Sequence, residues 1–523
     1  MNSSPLSQCA DIVVSVFEKE ESAVDDKKIT VNPVVSKVAT WYEKLRNAMD
    51  YREEEVILRA AIERILKRRI LLGGIGKTIA GALVRELVWA KYFPNESLSE
   101  SLVAFVEKRI DLYLKLREYL LLKQILSDRV INEWIIDLMS SDIENVLHPG
   151  KEKEVMSNFM YKIMRENITI ADDTEQTRDA QVFIAVRRSF AKDDRAFLRY
   201  QLFCQFFNEL TEENVKEVSG SFKKAYDEIE AQLNYIRKDT INSYVKSKTA
   251  VFFVLEGVLQ TVPENIRALL QDEEEFRTVV FKICEQRYNG ISSKVRRAIV
   301  RSVFFILLTK VIFAFAIEGT FERLVYGNII WRSIILNTSA PPLLMIIVGF
   351  FIKAPGKSNS EKIFHYINKV LFEEHPKIGS PLLTYKNPKQ LNPVLNFIFS
   401  LLWFLAFIVS FGAIVYVLTK LHFTIVSQGV FLFFIAIVSF LSYRIALVPR
   451  TYTVGDKDGL VTPIIDFFFM PIIKVGRSLT EGISQINILI FLFDFVIEAP
   501  FKGIFAFFEQ WFRFLHAKRE ELG

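Results

Sequence analysis

The sequence predicts an all-α protein, in part soluble and in part embedded in a membrane. Three observations lead there. Half of the 523 residues are hydrophobic and the mean hydropathy is +0.21, too apolar for soluble domains alone. The apolar residues gather after Ile299, in runs long enough to cross a bilayer. Before that point helical periodicity is nearly continuous, with almost no alternating runs.

Charge divides at the same place. Residues 1–298 hold 45 Lys and Arg against 47 Asp and Glu, a net of −2, whereas residues 299–523 hold 21 against 14, a net of +7. A basic excess in the apolar half argues against nucleic acid as a partner and favours anionic lipid headgroups. Cys9, Cys204 and Cys284 are too few and too scattered for a disulfide framework, and no zinc knuckle or other metal-ligand spacing is present.

Residues 1–30, polar and acidic from Glu18 to Asp26, are expected to be loosely ordered. They lack the cationic and apolar regions of a secretory leader, and Cys9 is not expected to be lipidated. Two helical subdomains should follow, residues 31–147 and 151–298, with the turn-forming His148-Pro149-Gly150 between them. Ser97-x-x-Glu100 predicts a capping box at the start of a long helix containing Leu102–Leu122. Ala250–Val258 is too short to span a bilayer and should be buried core.

Residues 299–447 read as four spans, near 300–317, 333–352, 397–418 and 425–447. Their flanks alternate in basic residues. Arg287, Lys294, Arg296, Arg297 and Arg301 precede the first span, and the second loop carries seven lysines, whereas the first loop, Glu318–Asn328, holds only Arg323 and the third only Lys420. The positive-inside rule therefore places both termini and the second loop in the cytoplasm. Lys294, Arg297 and Arg301 share one helical face and should touch anionic lipid. Residues 448–523 read as an amphipathic tail at the membrane interface, anchored by Phe501, Phe505, Phe508, Trp511 and Phe512. A fifth span through Ile486–Ile497 is the alternative, disfavoured by its length and by Asp494.

Three features carry possible chemistry. Gly73-Gly74-Ile75-Gly76-Lys77-Thr78 suggests a phosphate loop, but Leu71 stands where that motif needs glycine and an amphipathic helix precedes it, so a glycine turn between helices is expected. Lys310 lies inside the first span, where a charge must pair, snorkel or mark a pathway. Glu318 falls about 80° around an unbroken helix from it and is expected to mark the helix end rather than pair with Lys310. Pro341-Pro342 removes two amide donors from the second span, a loss that Asn337, Thr338 and Ser339 could make good.

No catalytic constellation is legible among the five histidines, the serines or the carboxylates, and no cofactor is expected. The expected function is that of a non-enzymatic scaffold or interaction component of a membrane complex. A protein partner would bind through residues 31–298, and the chain could form a homo-oligomer. The alternative is an oligomeric channel or transporter using the irregular first two spans.

Overall fold

The computed structural model describes residues 5–18, 28–31, 36–37, 39–40, 43, 56–71, 73–387, 393–455, 462–484, 507–508, 510–511 and 514–515. Helix accounts for 80% of it and strand for 2%, as expected of an all-α chain. Two compact units are present, one mainly of residues 15–245 and one mainly of residues 246–381 and 385–487 with residues 1–14.

Within the first 30 residues, where loose order is expected, the chain forms α1 (Gln8–Phe17). Ala10, Val13 and Val14 bury one face of it, and the Ser7 amide donates to Leu371 O at 2.8 Å. The unit of residues 15–245 follows as α2 (Ile57–Leu71), α3 (Gly76–Trp89), α4 (Glu100–Lys123), α5 (Asp128–Leu147) and α6 (Lys151–Glu166). After β1 (Ile168–Ile170) come α7 (Glu175–Val186), a π turn over Arg187–Ala191, α8 (Arg195–Phe207), α9 (Val215–Leu233) and α10 (Lys238–Lys246). β1 pairs in parallel with β2 (Leu382–Thr384), a short ladder that helical periodicity does not signal. His148-Pro149-Gly150 is the turn between α5 and α6, within this one unit.

Burial of apolar faces at helical spacing drives this unit together: Leu83, Leu87, Ile110, Leu116, Ile131 and Trp134 are all at most 1% exposed. Four arginines cross-link the helices. Arg109 donates to Asp142, to Glu209 at 2.9 Å and to Leu210 O at 2.8 Å, and Arg199 donates to Glu133 at 3.0 Å and Glu230 at 2.9 Å while its guanidinium lies 5.0 Å from the Trp134 ring. Arg59 pairs with Asp194 and Glu63, and Arg187 with Asp193 and Glu154. Removing one partner from such a pair leaves a buried charge uncompensated, so each network fixes a helix register. At the start of α4 the capping box is corrected: the N-cap is Ser99, and Ser97 Oγ donates to Pro94 O at 2.8 Å instead.

The second unit comprises α11 (Thr249–Thr261), a buried apolar helix as expected of Ala250–Val258, then α12 (Ile266–Gln271) and α13 (Glu273–Phe313). A π turn over Ala314–Gly319 and α14 (Thr320–Tyr326) continue α13 without a break. The remaining elements are α15 (Trp331–Phe351), α16 (Lys357–Phe372), α17 (Pro393–Lys420), α18 (Ile425–Arg450) and α19 (Thr462–Ser484). Four helices are long and apolar enough to cross a membrane: 273–326, 331–351, 393–420 and 425–450. They match the four expected spans, and their outward residues are apolar, as a lipid-facing surface requires: Phe304, Phe350, Phe351, Phe397 and Phe404 are more than half exposed.

Helices α13 and α15 run as an antiparallel pair. A Cβ at Gly349 would meet Ile299 Cδ1 at 2.7 Å, so glycine there permits the close approach, and at the other end Asn337 reaches Glu318. Phe313 packs edge-on against Phe434 of α18 at 5.3 Å between centroids, and Ser442 Oγ donates to Met345 Sδ at 3.1 Å. Helix α19 packs lengthwise on α17 and α18, where Ser410 Oγ donates to Phe468 O at 2.7 Å and a Cβ at Gly476 would run into Ala436 O. Of the expected anchors, Phe508 and Trp511 are exposed; Phe501, Phe505 and Phe512 lie outside the described residues, as does the alternative fifth span.

Candidate functional site

The site is a polar centre enclosed by α13, its π turn, α14, α15 and the start of α18. Lys310, Glu318, Glu322, Asn337 and Ser427 are each 0% exposed. Lys310 Nζ donates to Glu318 Oε1 at 2.9 Å and sits 4.8 Å from the centroid of the Phe434 ring, a cation held between a carboxylate and an aromatic face. Asn337 Nδ2 donates both to Glu318 Oε2 at 2.6 Å and to Ser427 O at 3.0 Å, so three helices meet on one side-chain amide. Glu322 Oε2 accepts the Ile330 amide at 2.7 Å at the entrance to α15, and its Oε1 lies 3.4 Å from Ser427 Oγ.

The Lys310–Glu318 contact corrects the expectation that the two do not pair. A π turn admits one extra residue into the helix, which sets Glu318 back by about 100° and leaves it about 20° from the Lys310 face. The expected first loop, Glu318–Asn328, is also corrected: it is helical to Tyr326, which carries both carboxylates inside the bundle.

Pro341 and Pro342 stand within a continuous α15, both buried. Asn337, Thr338 and Ser339 do not replace the missing donors, because Asn337 spends its amide on Glu318 and Ser427, and Ser339 Oγ donates to Ile335 O at 2.8 Å. The carbonyls of Asn337 and Thr338 therefore lose their i+4 donors. Asn337 Oδ1, Ser333 Oγ and Thr338 Oγ1 are buried without a hydrogen-bond partner, an unusual concentration on one turn of helix.

The other candidates resolve differently. The glycine segment is a turn between α2 and α3, as expected. The Gly76 amide, which would face a phosphate, donates instead to Asp111 Oδ1 at 2.8 Å, and a Cβ on Gly76 would lie 2.5 Å from Glu107 O. Thr78 Oγ1 is occupied by the Ile75 backbone. Arg287, Lys294, Arg296, Arg297 and Arg301 are all exposed along α13, on the same helix that becomes the first span. Among the described residues no cluster of His, Cys, Asp and Glu could hold a metal ion.

Beside the glycine turn lies a shallow groove of about 500 Å³, lined by Ile70, Gly73, Gly74, Leu114, Leu121 and Leu122 together with the charged Arg117 and Glu118. Leu122 in its lining is 75% exposed, and Leu71 and Ile75, next to lining residues in the chain, are 68% and 55% exposed. In the unit of residues 15–245 burial also raises several carboxyl groups, Asp142 and Asp193 among them. Glu144 is pushed up to about 7 by desolvation against the pull of Lys153 and Arg59, and Asp137 to about 6 against its bond to Arg199.

Sequence reasoning singles out Lys310 and the proline pair, yet misses Glu318, Glu322 and Ser427 as members of one site. Their signal is the i, i+4 spacing of the two glutamates directly after an apolar run, which places both on one face if the helix continues. Comparison of the chain with known families, curated proteins and solved structures gives no match.

Proposed function

We propose that this chain is a non-enzymatic component of a membrane assembly, anchored by its four spans and presenting the soluble helical unit to a protein partner. The observation that carries this reading is the groove between the α2–α3 turn and the C-terminal half of α4, with Leu122 exposed in its lining and Leu71 and Ile75 exposed beside lining residues in the chain. Contiguous exposed leucines on a soluble unit mark interaction sites, and a shallow groove of this kind suits the apolar face of a partner's amphipathic helix. Arginine networks around Arg109 and Arg199 keep the supporting helices rigid, which lowers the entropic cost of docking. The basic flank from Arg287 to Arg301 and the lysine-rich second loop support a cytoplasmic soluble unit, with the flank on anionic lipid.

A photo-crosslinking residue at Leu122 of the full chain in its native membrane tests this reading. A discrete protein adduct at Leu122, absent when the probe stands at the exposed Asp239 of α10, is the expected result. The same diffuse products at both positions would refute a docking groove.

A second reading, an oligomeric channel or transporter, is favoured by one specific observation. The buried centre around Lys310 holds two carboxylates against one ammonium, together with unpartnered oxygens, as ion pathways do.

A further inference from the structure

The charges of the intramembrane centre do not balance. Lys310 supplies one positive charge, while Glu318 and Glu322 supply two negative ones, and all three side chains are fully enclosed. Their other partners are neutral: the Asn337 amide, the Ser427 hydroxyl and the Ile330 backbone amide. Among the described residues of the helices that enclose the centre, no further cation faces them. Arg332 is the one charged residue of α15 and is exposed, α18 carries none before Arg444, and Arg323 beside Glu322 is exposed. The amino end of α15, against which Glu322 rests, offers the equivalent of roughly half a charge. A buried carboxylate without a full counter-charge is strongly disfavoured.

The surroundings are suited to a hard cation. Asn337 turns its amide nitrogen to Glu318 and to Ser427 O, which leaves Oδ1 buried and unpartnered beside the same centre. Ser333 Oγ, one turn earlier on the same face of α15, is likewise buried and unpartnered. The Asn337 carbonyl loses its ladder donor to Pro341. Every available group is an oxygen, which selects protons and alkali cations over softer metals, and the deficit of one charge selects a monovalent species.

We propose that this centre binds one exchangeable alkali cation, with Glu322 as the charged ligand and Ser427 Oγ, Asn337 Oδ1 and Ser333 Oγ as neutral oxygen donors. Lys310 neutralises Glu318, which leaves Glu322 as the group that takes up and releases the ion. The inference is independent of the docking groove, since it concerns a different unit of the chain.

Thermal unfolding of the full chain in detergent at pH 8.5 tests it, with NaCl, KCl or choline chloride at fixed ionic strength, for the native chain and Glu322→Gln. Na⁺ or K⁺ raises the native Tm relative to choline, by on the order of 5 °C at a hundredfold excess over Kd, and Glu322→Gln removes the rise. Ser427→Ala retains the charge and serves should Glu322→Gln fail to fold; in it the Na⁺ midpoint shifts to higher concentration. The same Tm in all three salts, or the same salt response in the native chain and in the variant that folds, overturns the proposal.

Discussion

Replacing Lys310 by methionine tests the electrostatic logic of the membrane unit. The ammonium makes a 2.9 Å bond to Glu318 and a 4.8 Å approach to the Phe434 ring, and all of it is enclosed. Lys310→Met is close in length, so packing changes little, but Glu318 is left as a buried carboxylate held by Asn337 alone. Breaking a buried ion pair from one side costs about 3–5 kcal/mol. Interhelical polar contacts in membranes are worth nearer 1–2 kcal/mol, because the unfolded chain in lipid also finds partners. A loss of about 3 kcal/mol is therefore expected, a fall in Tm on the order of 10 °C for a unit of this size. Lys310→Met/Glu318→Met removes both charges and should recover to within about 1 kcal/mol of the native chain. Thermal unfolding in detergent of the native, single and double variants reads the order directly. A single variant as stable as the native chain, or a double variant as unstable as the two single losses added together, refutes the pairing.

Other predictions follow from separate features. Glu144 has its pKa raised on folding, to about 7 from the ordinary glutamate range, so its contribution is present below the unfolded value and is lost as pH rises towards 7. Stability of the unit of residues 15–245 should fall by about 2 kcal/mol between pH 4.5 and 7.5 on this account, and Glu144→Gln should flatten that slope in a pH series of urea titrations; an unchanged slope contradicts the assignment. Gly476→Ala places a methyl where the Ala436 carbonyl already stands, so α19 must move off α18. A loss of about 1–3 kcal/mol or more is expected, with slower disulfide formation between engineered cysteines at positions 410 and 468; unaltered stability would mean the two helices are not in contact. Neutralising Lys294, Arg297 and Arg301 together should weaken the soluble flank's contact with anionic vesicles by about 1 kcal/mol per charge. That loss is measured as reduced protection of 287–301 from hydrogen exchange in phosphatidylserine nanodiscs, and equal protection in zwitterionic discs of the native chain argues against lipid contact.

How far the structure is legible from the residues depends on whether local pattern or tertiary contact decides the outcome. Spans are legible because about 20 apolar residues have few alternatives, and all four expected spans fall on helices. The glycine turn is legible because Leu71 breaks the phosphate motif; the structure adds that Asp111 holds the Gly76 amide. Lys310 is visible as a charge among apolar residues, but its partner is not. The π turn at Ala314–Gly319 shifts the helical face by one residue, and no periodicity announces it. Glu318 and Glu322 resemble loop charges at the end of a hydrophobic run, and only Asn337 and Ser427, brought from 19 and 105 positions away, show that they are interior.

The account depends on α13–α14, α15, α17 and α18 crossing a bilayer, and single-cysteine labelling in sealed cells measures this most directly. In a chain with Cys9, Cys204 and Cys284 replaced, cysteines at Gly327 and Leu421 should react with a membrane-impermeant maleimide from outside, whereas one at Lys377 should react only after permeabilisation. Labelling of all three from the same side would contradict it.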